Sequence, residues 1–201
     1  ALLWQVPEPA EGKADVPWSV EVRADPGNEW VAAGAPTSRR LAVEGVPPIR
    51  LYRAALTGLT PGGGFTYRVR RGGVVAFEAR ASARKPAGTP HRFVAFGDCS
   101  VKGSAGQKAV AYQASPARPD YVMVTGDIVY ARGRASEYLD HFFPVYNADR
   151  ADPAVGAPLL RSTVFLAAPG NHDLVERNFD TLPDTLAYFY EWALPLNGPS
   201  T

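Results

Sequence analysis

Tyr121-Val122-Met123-Val124-Thr125-Gly126-Asp127 sets the architecture of this chain. Its first five residues are apolar or β-branched on both alternating faces, which marks a strand buried on two sides in a parallel sheet. Gly126 permits a sharp backbone turn. Asp127 then stands at the carboxyl end of the strand, where open parallel sheets gather their ligands. The same order recurs on either side. Phe93-Val94-Ala95-Phe96 runs into Gly97-Asp98, and Val164-Phe165-Leu166-Ala167-Ala168-Pro169 runs into Gly170-Asn171-His172-Asp173. Three such strand ends side by side predict one crevice holding Asp98, Asp127, Asn171 and His172.

Stretches of helical character separate these strands, the alternation expected of an α/β layer. Gln107–Ala114 predicts a helix that ends before Pro116. Ala135–Tyr146 predicts a second, interrupted by Pro144. Asp184–Leu194 predicts a third, started near Asp184 and stopped by Pro195. The α/β pattern extends over residues 88–201, after a polar break at Arg84–Pro90 (RKPAGTP).

Residues 1–87 read differently. β-rich stretches at Trp18–Ala24, Trp30–Gly34, Arg50–Leu56, Phe65–Arg71 and Val74–Ala81 alternate with turn clusters, among them Asp25–Asn28, Ala35–Ser38 and Pro61–Gly64. Short strands at this spacing predict an all-β sandwich. Within it, Leu56–Arg70 (LTGLTPGGGFTYRVR) resembles the tyrosine corner of fibronectin type III domains. That resemblance implies a fibronectin type III-like domain in which the Tyr67 hydroxyl bonds back to backbone at a sheet-crossing connection.

Composition narrows the function. The formal charge is +1, with no basic run and no acidic tail, which argues against a nucleic-acid or membrane-surface footprint. Hydrophobic residues at 46% and charged residues at 20% allow a real core and exclude a disordered class. No apolar run reaches the roughly 18 residues of a membrane span. Cys99 is the one cysteine, so no internal disulfide forms. The chain begins at Ala1 without a methionine, from which a processed N-terminus and a secreted or periplasmic location are expected.

The crevice itself points to metal chemistry. Hard oxygen ligands with an imidazole suit iron, manganese or zinc rather than a soft-metal site. One carboxylate can bridge two such ions about 3.5–4 Å apart.

The ordered series GD, GDIVY and GNHD (Gly97-Asp98, Gly126–Tyr130, Gly170–Asp173) resembles the motifs of calcineurin-like metallophosphoesterases. Many members carry GDxH first; here Gly97-Asp98-Cys99-Ser100 has no histidine, and Tyr130 instead matches the tyrosine of purple acid phosphatases. Ser100 departs from the glycine often found there. Phe143–Tyr146, Pro195–Pro199 and the upstream sandwich add to the likeness. The resemblance implies the first half of an αββα metallophosphoesterase domain with a binuclear centre, Fe³⁺ beside a divalent Zn, Fe or Mn. It implies that Asp98 and Tyr130 bind the ferric ion, Asp127 bridges, Asn171 binds the divalent ion, and His172 serves the substrate or protonates the leaving oxygen. Asp173 is expected to orient a neighbouring ligand or His172. The implied activity is hydrolysis of phosphate monoesters, of acid phosphatase type, by a metal-bound hydroxide, with a phosphodiesterase or a non-catalytic binding module as alternatives.

The family's site takes three further histidines from later motifs. His91 and His141 lie outside the motifs and read as ordinary surface or packed histidines. Completion of the domain by continuing sequence or a second chain is therefore expected. The 201 residues alone are expected to expose an apolar sheet face and to be inactive. Cys99 reads as a small buried hydrophobe, the four tryptophans as core or interface, and Lys102 and Lys108 as solvated charges.

Overall fold

The computed structural model describes residues 1–9, 16–44 and 46–194. Pro195 and the Pro195–Pro199 string lie outside the described residues.

Seven antiparallel strands come first: β1 (Leu2–Pro7), β2 (Trp18–Ala24), β3 (Val31–Ala32), β4 (Thr37–Leu41), β5 (Ile49–Ala54), β6 (Gly64–Arg71) and β7 (Val74–Ser82). They form a three-stranded sheet, β1-β5-β4, and a four-stranded sheet, β3-β2-β6-β7. Alternation explains the pairing of faces. Val20 and Val22 on β2, and Phe65, Tyr67 and Val69 on β6, point to a core they share with Ala54 of β5 and, at its margin, Leu2 and Trp4 of β1. Trp4 stacks on Tyr52 with ring centres 5.2 Å apart, while Trp30 lies outside this core beneath the guanidinium of Arg68.

Two strands escaped the sequence reading. Leu2–Pro7 pairs along its whole length with β5, and Thr37–Leu41 begins inside the expected turn Ala35–Ser38. β4 is an edge strand whose Thr37, Ser38, Arg39 and Arg40 are all exposed, so it has no apolar period to read.

Three parallel strands follow: β8 (Phe93–Phe96), β9 (Tyr121–Val124) and β10 (Val164–Ala167), in the order β10-β9-β8. Phe93, Tyr121 and Val164 are in register, so all three strands end level. One face of this sheet buries Val122 and Val124 against Tyr138, Phe142 and Tyr146. The other face leaves Phe93, Met123, Val164 and Leu166 between 38% and 52% exposed. This is the apolar face expected from the sequence.

Helix α1 (Ala105–Ala114) starts two residues before the expected Gln107, because Ser104 Oγ accepts from the Gln107 amide at 3.2 Å. The Ala135–Tyr146 segment is helical throughout as α2 (Ala135–Glu137), a π-helical stretch Tyr138–Phe142, and α3 (Phe143–Tyr146). The wider π-turn runs up to Pro144, which has no N–H to continue the ladder. Two short helices, α4 (Leu159–Ser162) and α5 (Asn171–Leu174), complete the region with α6 (Tyr188–Glu191).

Helix α6 corrects the long helix expected over Asp184–Leu194. Asp184 is not its start but a fully buried acceptor for Ser136 N at 3.2 Å, Ser136 Oγ at 3.0 Å and Arg134 Nε at 2.7 Å. It ties down the beginning of α2 instead.

A second correction concerns Tyr67. Its hydroxyl donates not to nearby backbone but to the carbonyl of Arg161 in α4, at 2.8 Å. The tyrosine-corner bond does not form. Tyr67 bonds the β6 strand to the later part of the chain, and Arg161 reinforces the contact by lying over Phe77 of β7 at 5.3 Å.

Candidate metal centre

The turns after β8, β9 and β10 are stitched to one another. The Asp98 amide donates to Gly126 O and the Cys99 amide to Asp127 O, each at 3.2 Å. Glycine is required where these turns touch. A β-carbon on Gly97 would meet Thr125 Oγ1 at 2.8 Å, and one on Gly126 would meet Gly170 Cα at 2.9 Å. Asp98 and Asp127 themselves adopt φ of +50° and +49°. That left-handed conformation costs a non-glycine residue about 1–3 kcal/mol, and such strain clusters at functional sites.

The turns bring together four of the five residues read from the motifs as ligands or as the acid. The Tyr130 hydroxyl makes a short hydrogen bond to Asp98 Oδ1 and lies 3.0 Å from Asp127 Oδ2. Asp127 Oδ1 accepts the His172 amide at 2.9 Å. The His172 ring packs on Tyr130, ring centres 4.3 Å apart. Asn171 opens α5 beside His172; its side chain is exposed and has no hydrogen-bond partner among the described residues.

Two carboxylates facing one phenol make an electron-rich oxygen cluster. The hydrogen bond to Asp98, then burial, then Asp127 push the Tyr130 phenol well above its ordinary pKa. The phenol therefore keeps its proton, lying between the two carboxyl groups. A multivalent cation would reverse this balance, stabilising both carboxylates and the phenolate together. In that sense the donor set fits hard metal ions. The convergence consists of two carboxylates and a phenol; among the described residues no group of three or more His, Cys, Asp and Glu side chains is disposed to hold an ion.

Asp173 lies fully buried beneath the cluster. Its carboxylate accepts from Gly170 N at 2.8 Å, Ile128 N at 3.1 Å and Val129 N at 3.3 Å. Burial raises its pKa, and the amide hydrogen bonds oppose the rise. It thus locks the turn carrying Asn171 to the turn carrying Asp127. It does not orient the His172 ring, because Nδ1 of that ring pairs with Ala131 O at 2.9 Å. A carbonyl only accepts, so Nδ1 is the donor of that bond and carries its proton.

His91 and His141 stay away from the cluster. His91 packs near Tyr121 at the opposite end of the sheet, and His141 sits in the π-helical stretch. Cys99 is buried, with its thiol pushed up to about 12 by burial, and Ser100 is fully buried. Sequence reading missed Glu137. Its carboxylate accepts the amides of Ala131, Arg132 and Arg134, yet α2, the helix it belongs to, has Arg134 and not Ser, Thr, Asp or Asn at its cap to announce it.

Residues 91–200, more than half of the chain, match the family described as calcineurin-like phosphoesterase. Among solved structures, one described as "Structure of PhoD" aligns with a TM-score of 0.50 and 14% identity, over 82% of this chain and 34% of that chain. The likeness is one of fold, and the chain spans about a third of that protein's length. Amylomaltase from Corynebacterium glutamicum aligns over 65% of this chain and 20% of that chain, at 13% identity and a TM-score of 0.24. No curated protein matches the chain.

Proposed function

The chain belongs to the calcineurin-like phosphoesterase family, and from that premise we propose that it contributes the front half of a binuclear metal centre that hydrolyses phosphate monoesters in the manner of purple acid phosphatases. The observation that carries this reading is the meeting of Tyr130 with Asp98 and Asp127. A phenol set between two carboxylates makes an all-oxygen donor group that suits a trivalent ion.

In this reading Asp98 and Tyr130 would hold ferric iron, Asp127 would serve both ions, and Asn171 would offer an amide oxygen to a divalent Zn, Fe or Mn. What a bound ion pair supplies is neutralisation of the phosphoryl oxygens and an acidified water. His172 binds the ester and gives a proton from Nε2 to the leaving oxygen, while Nδ1 stays committed to Ala131. Asp173 keeps the two ligand-bearing turns at a fixed separation.

The apolar face of Phe93, Met123, Val164 and Leu166 supports a two-sheet domain, in which a second half packs on it and brings the remaining histidine ligands. Residues 88–201 form the first half of that domain in this reading. Residues 1–87 form a fibronectin type III-like module, supported by the two sheets around one core.

Metal content of the purified full-length protein, with its visible spectrum, tests the centre. About two ions per chain including iron, with a tyrosinate charge-transfer band that Tyr130→Phe abolishes, is the expected result. A protein that binds no iron under any reconstitution overturns it. p-Nitrophenyl phosphate is expected to be hydrolysed faster than bis(p-nitrophenyl) phosphate; the reverse order assigns the centre to diesters.

A further inference from the structure

We propose that Glu137 is a positioning residue for His172, acting through the single residue Ala131; the inference rests on the reading of His172 as the group that serves the leaving oxygen. Ala131 is held from both sides. Its amide donates to Glu137 Oε1 at 2.5 Å, and its carbonyl accepts from His172 Nδ1 at 2.9 Å. The same carboxylate takes the Arg132 amide at 3.2 Å on both oxygens and the Arg134 amide at 2.9 Å.

The bond to Arg134, three residues back, is ordinary helix capping and needs no functional reason. The bonds to Ala131 and Arg132 reach six and five residues back, past the helix start. They hold a stretch that packing does not hold, since Ala131 and Arg132 are both exposed. Gly133, by contrast, is wedged against the Asp173 carbonyl, where a β-carbon would come within 2.3 Å. The loop is therefore anchored by packing at Gly133, by the ion pair of Arg132 with Glu176 at 3.6 Å and, at Ala131 itself, by one carboxylate. Remove the carboxylate, and the carbonyl that fixes the imidazole is free to swing.

A carboxylate suits this place because it only accepts, and all three of its partners are N–H donors. Glutamine presents one acceptor oxygen and turns an NH₂ group against further donors. Glu137→Gln is thus nearly isosteric yet unable to hold all three amides.

The test is nitrogen-15 NMR of the histidine rings at one fixed pH, in the purified protein and in Glu137→Gln, Glu137→Asp and Ser136→Ala. Histidines 91 and 141 serve as internal references. The His172 ring of the unmodified protein is expected as a single tautomer with a protected Nδ1–H. Glu137→Gln is expected to speed exchange of that proton at least tenfold and to move the ring nitrogens toward tautomer averaging. Glu137→Asp, one methylene shorter with the charge kept, is expected to fold and to fall between. Ser136→Ala removes a hydrogen bond to Asp184 in the same segment and is expected to leave His172 unchanged. Unchanged His172 signals in both Glu137 variants overturn the proposal, as does an equal change in Ser136→Ala, which would mark general loosening. In steady-state hydrolysis of p-nitrophenyl phosphate, Glu137→Gln is expected to lower kcat at least tenfold with KM within twofold. If the full-length protein, carrying the second half of the domain, hydrolyses no phosphate ester, the functional reading falls while the ring measurement still decides the role of Glu137.

Discussion

Gly170 approaches Asp127 so closely that a β-carbon on it would stand 2.1 Å from the Asp127 carboxylate oxygen Oδ1 and 2.3 Å from the Asp127 amide nitrogen. The φ of Gly170 is −101°, which any residue adopts, so space and not conformation demands glycine here. Gly170→Ala is expected to push apart the turns after β9 and β10, at a cost of about 1–3 kcal/mol or more. Asp127 moves with its turn. Denaturant unfolding checks the stability loss, and titration of the protein with Fe and Zn checks that metal affinity falls with it. An alanine variant with unchanged stability and metal affinity would refute the contact.

Asp173 makes a sharper case, because it is fully buried and all its described partners are backbone amides. Asp173→Asn is nearly the same size, but its NH₂ group must face an N–H. Leaving one or two buried donors unpaired costs about 1–3 kcal/mol each. The expected outcome is a loss of about 2–4 kcal/mol in unfolding free energy, together with weaker metal binding. Asp173→Ala is expected to lose more. Equal stability of Asp173→Asn and the unmodified protein, compared by urea denaturation, would show that the amides find other acceptors.

What the sequence discloses follows from which forces act locally. The strand-Gly-Asp repetition is legible because apolar side chains on both faces, sharp turning and the placing of a carboxylate each select a residue type at a fixed spacing. Asp98, Asp127, Tyr130 and His172 accordingly converge as the motifs suggest. Side-chain partners far apart in sequence leave no such trace. Asp184 reads as a helix start and instead serves Arg134 and Ser136, about 50 residues earlier. Tyr67 reads as a corner within its own sandwich and instead serves Arg161. Glu137 was passed over because a glutamate in a helix is unremarkable until its three amide partners are seen. The edge strand β4, exposed at four of five positions, offers no period at all.

The Tyr67–Arg161 bond yields a third prediction. Tyr67 is 3% exposed, and burial pushes its phenol up to about 12, so the hydroxyl remains a donor at all ordinary pH. Tyr67→Phe keeps the ring in the sandwich core and removes only the bond to the Arg161 carbonyl. The expected loss is about 1 kcal/mol in the denaturation midpoint analysis. Amide hydrogen exchange is expected to rise in α4 while the β2 and β6 ladders stay protected. Exchange rising throughout the sandwich would instead mean that the hydroxyl supports the sheets themselves.

Glu191 sets a pH dependence whose sign can be worked out. It lies on α6 with one carboxylate oxygen buried and unpaired among the described residues. Burial raises its pKa from the usual 4.5 to about 7, against the opposing pull of Arg39 from β4. Tyr138 and Tyr190 also feel its charge, and both are held neutral by burial. The folded state binds this proton more tightly than the unfolded chain does. The stabilisation is therefore fully present below pH 4.5, fades between 4.5 and 7, and is gone once pH rises through the folded-state value. Its size is on the order of 3 kcal/mol. Arg39 limits the loss on the alkaline side, because its guanidinium is already nearby, donating to Tyr190 O at 2.8 Å. Glu191→Gln is neutral at every pH and is expected to remove this part of the profile. Urea unfolding of the two proteins at pH 5 and pH 8 is the measurement. A stability difference between them that grows by about 2 kcal/mol from pH 5 to pH 8, in favour of the glutamine variant, is the expected result. The same pH dependence in both proteins would place the titrating group elsewhere.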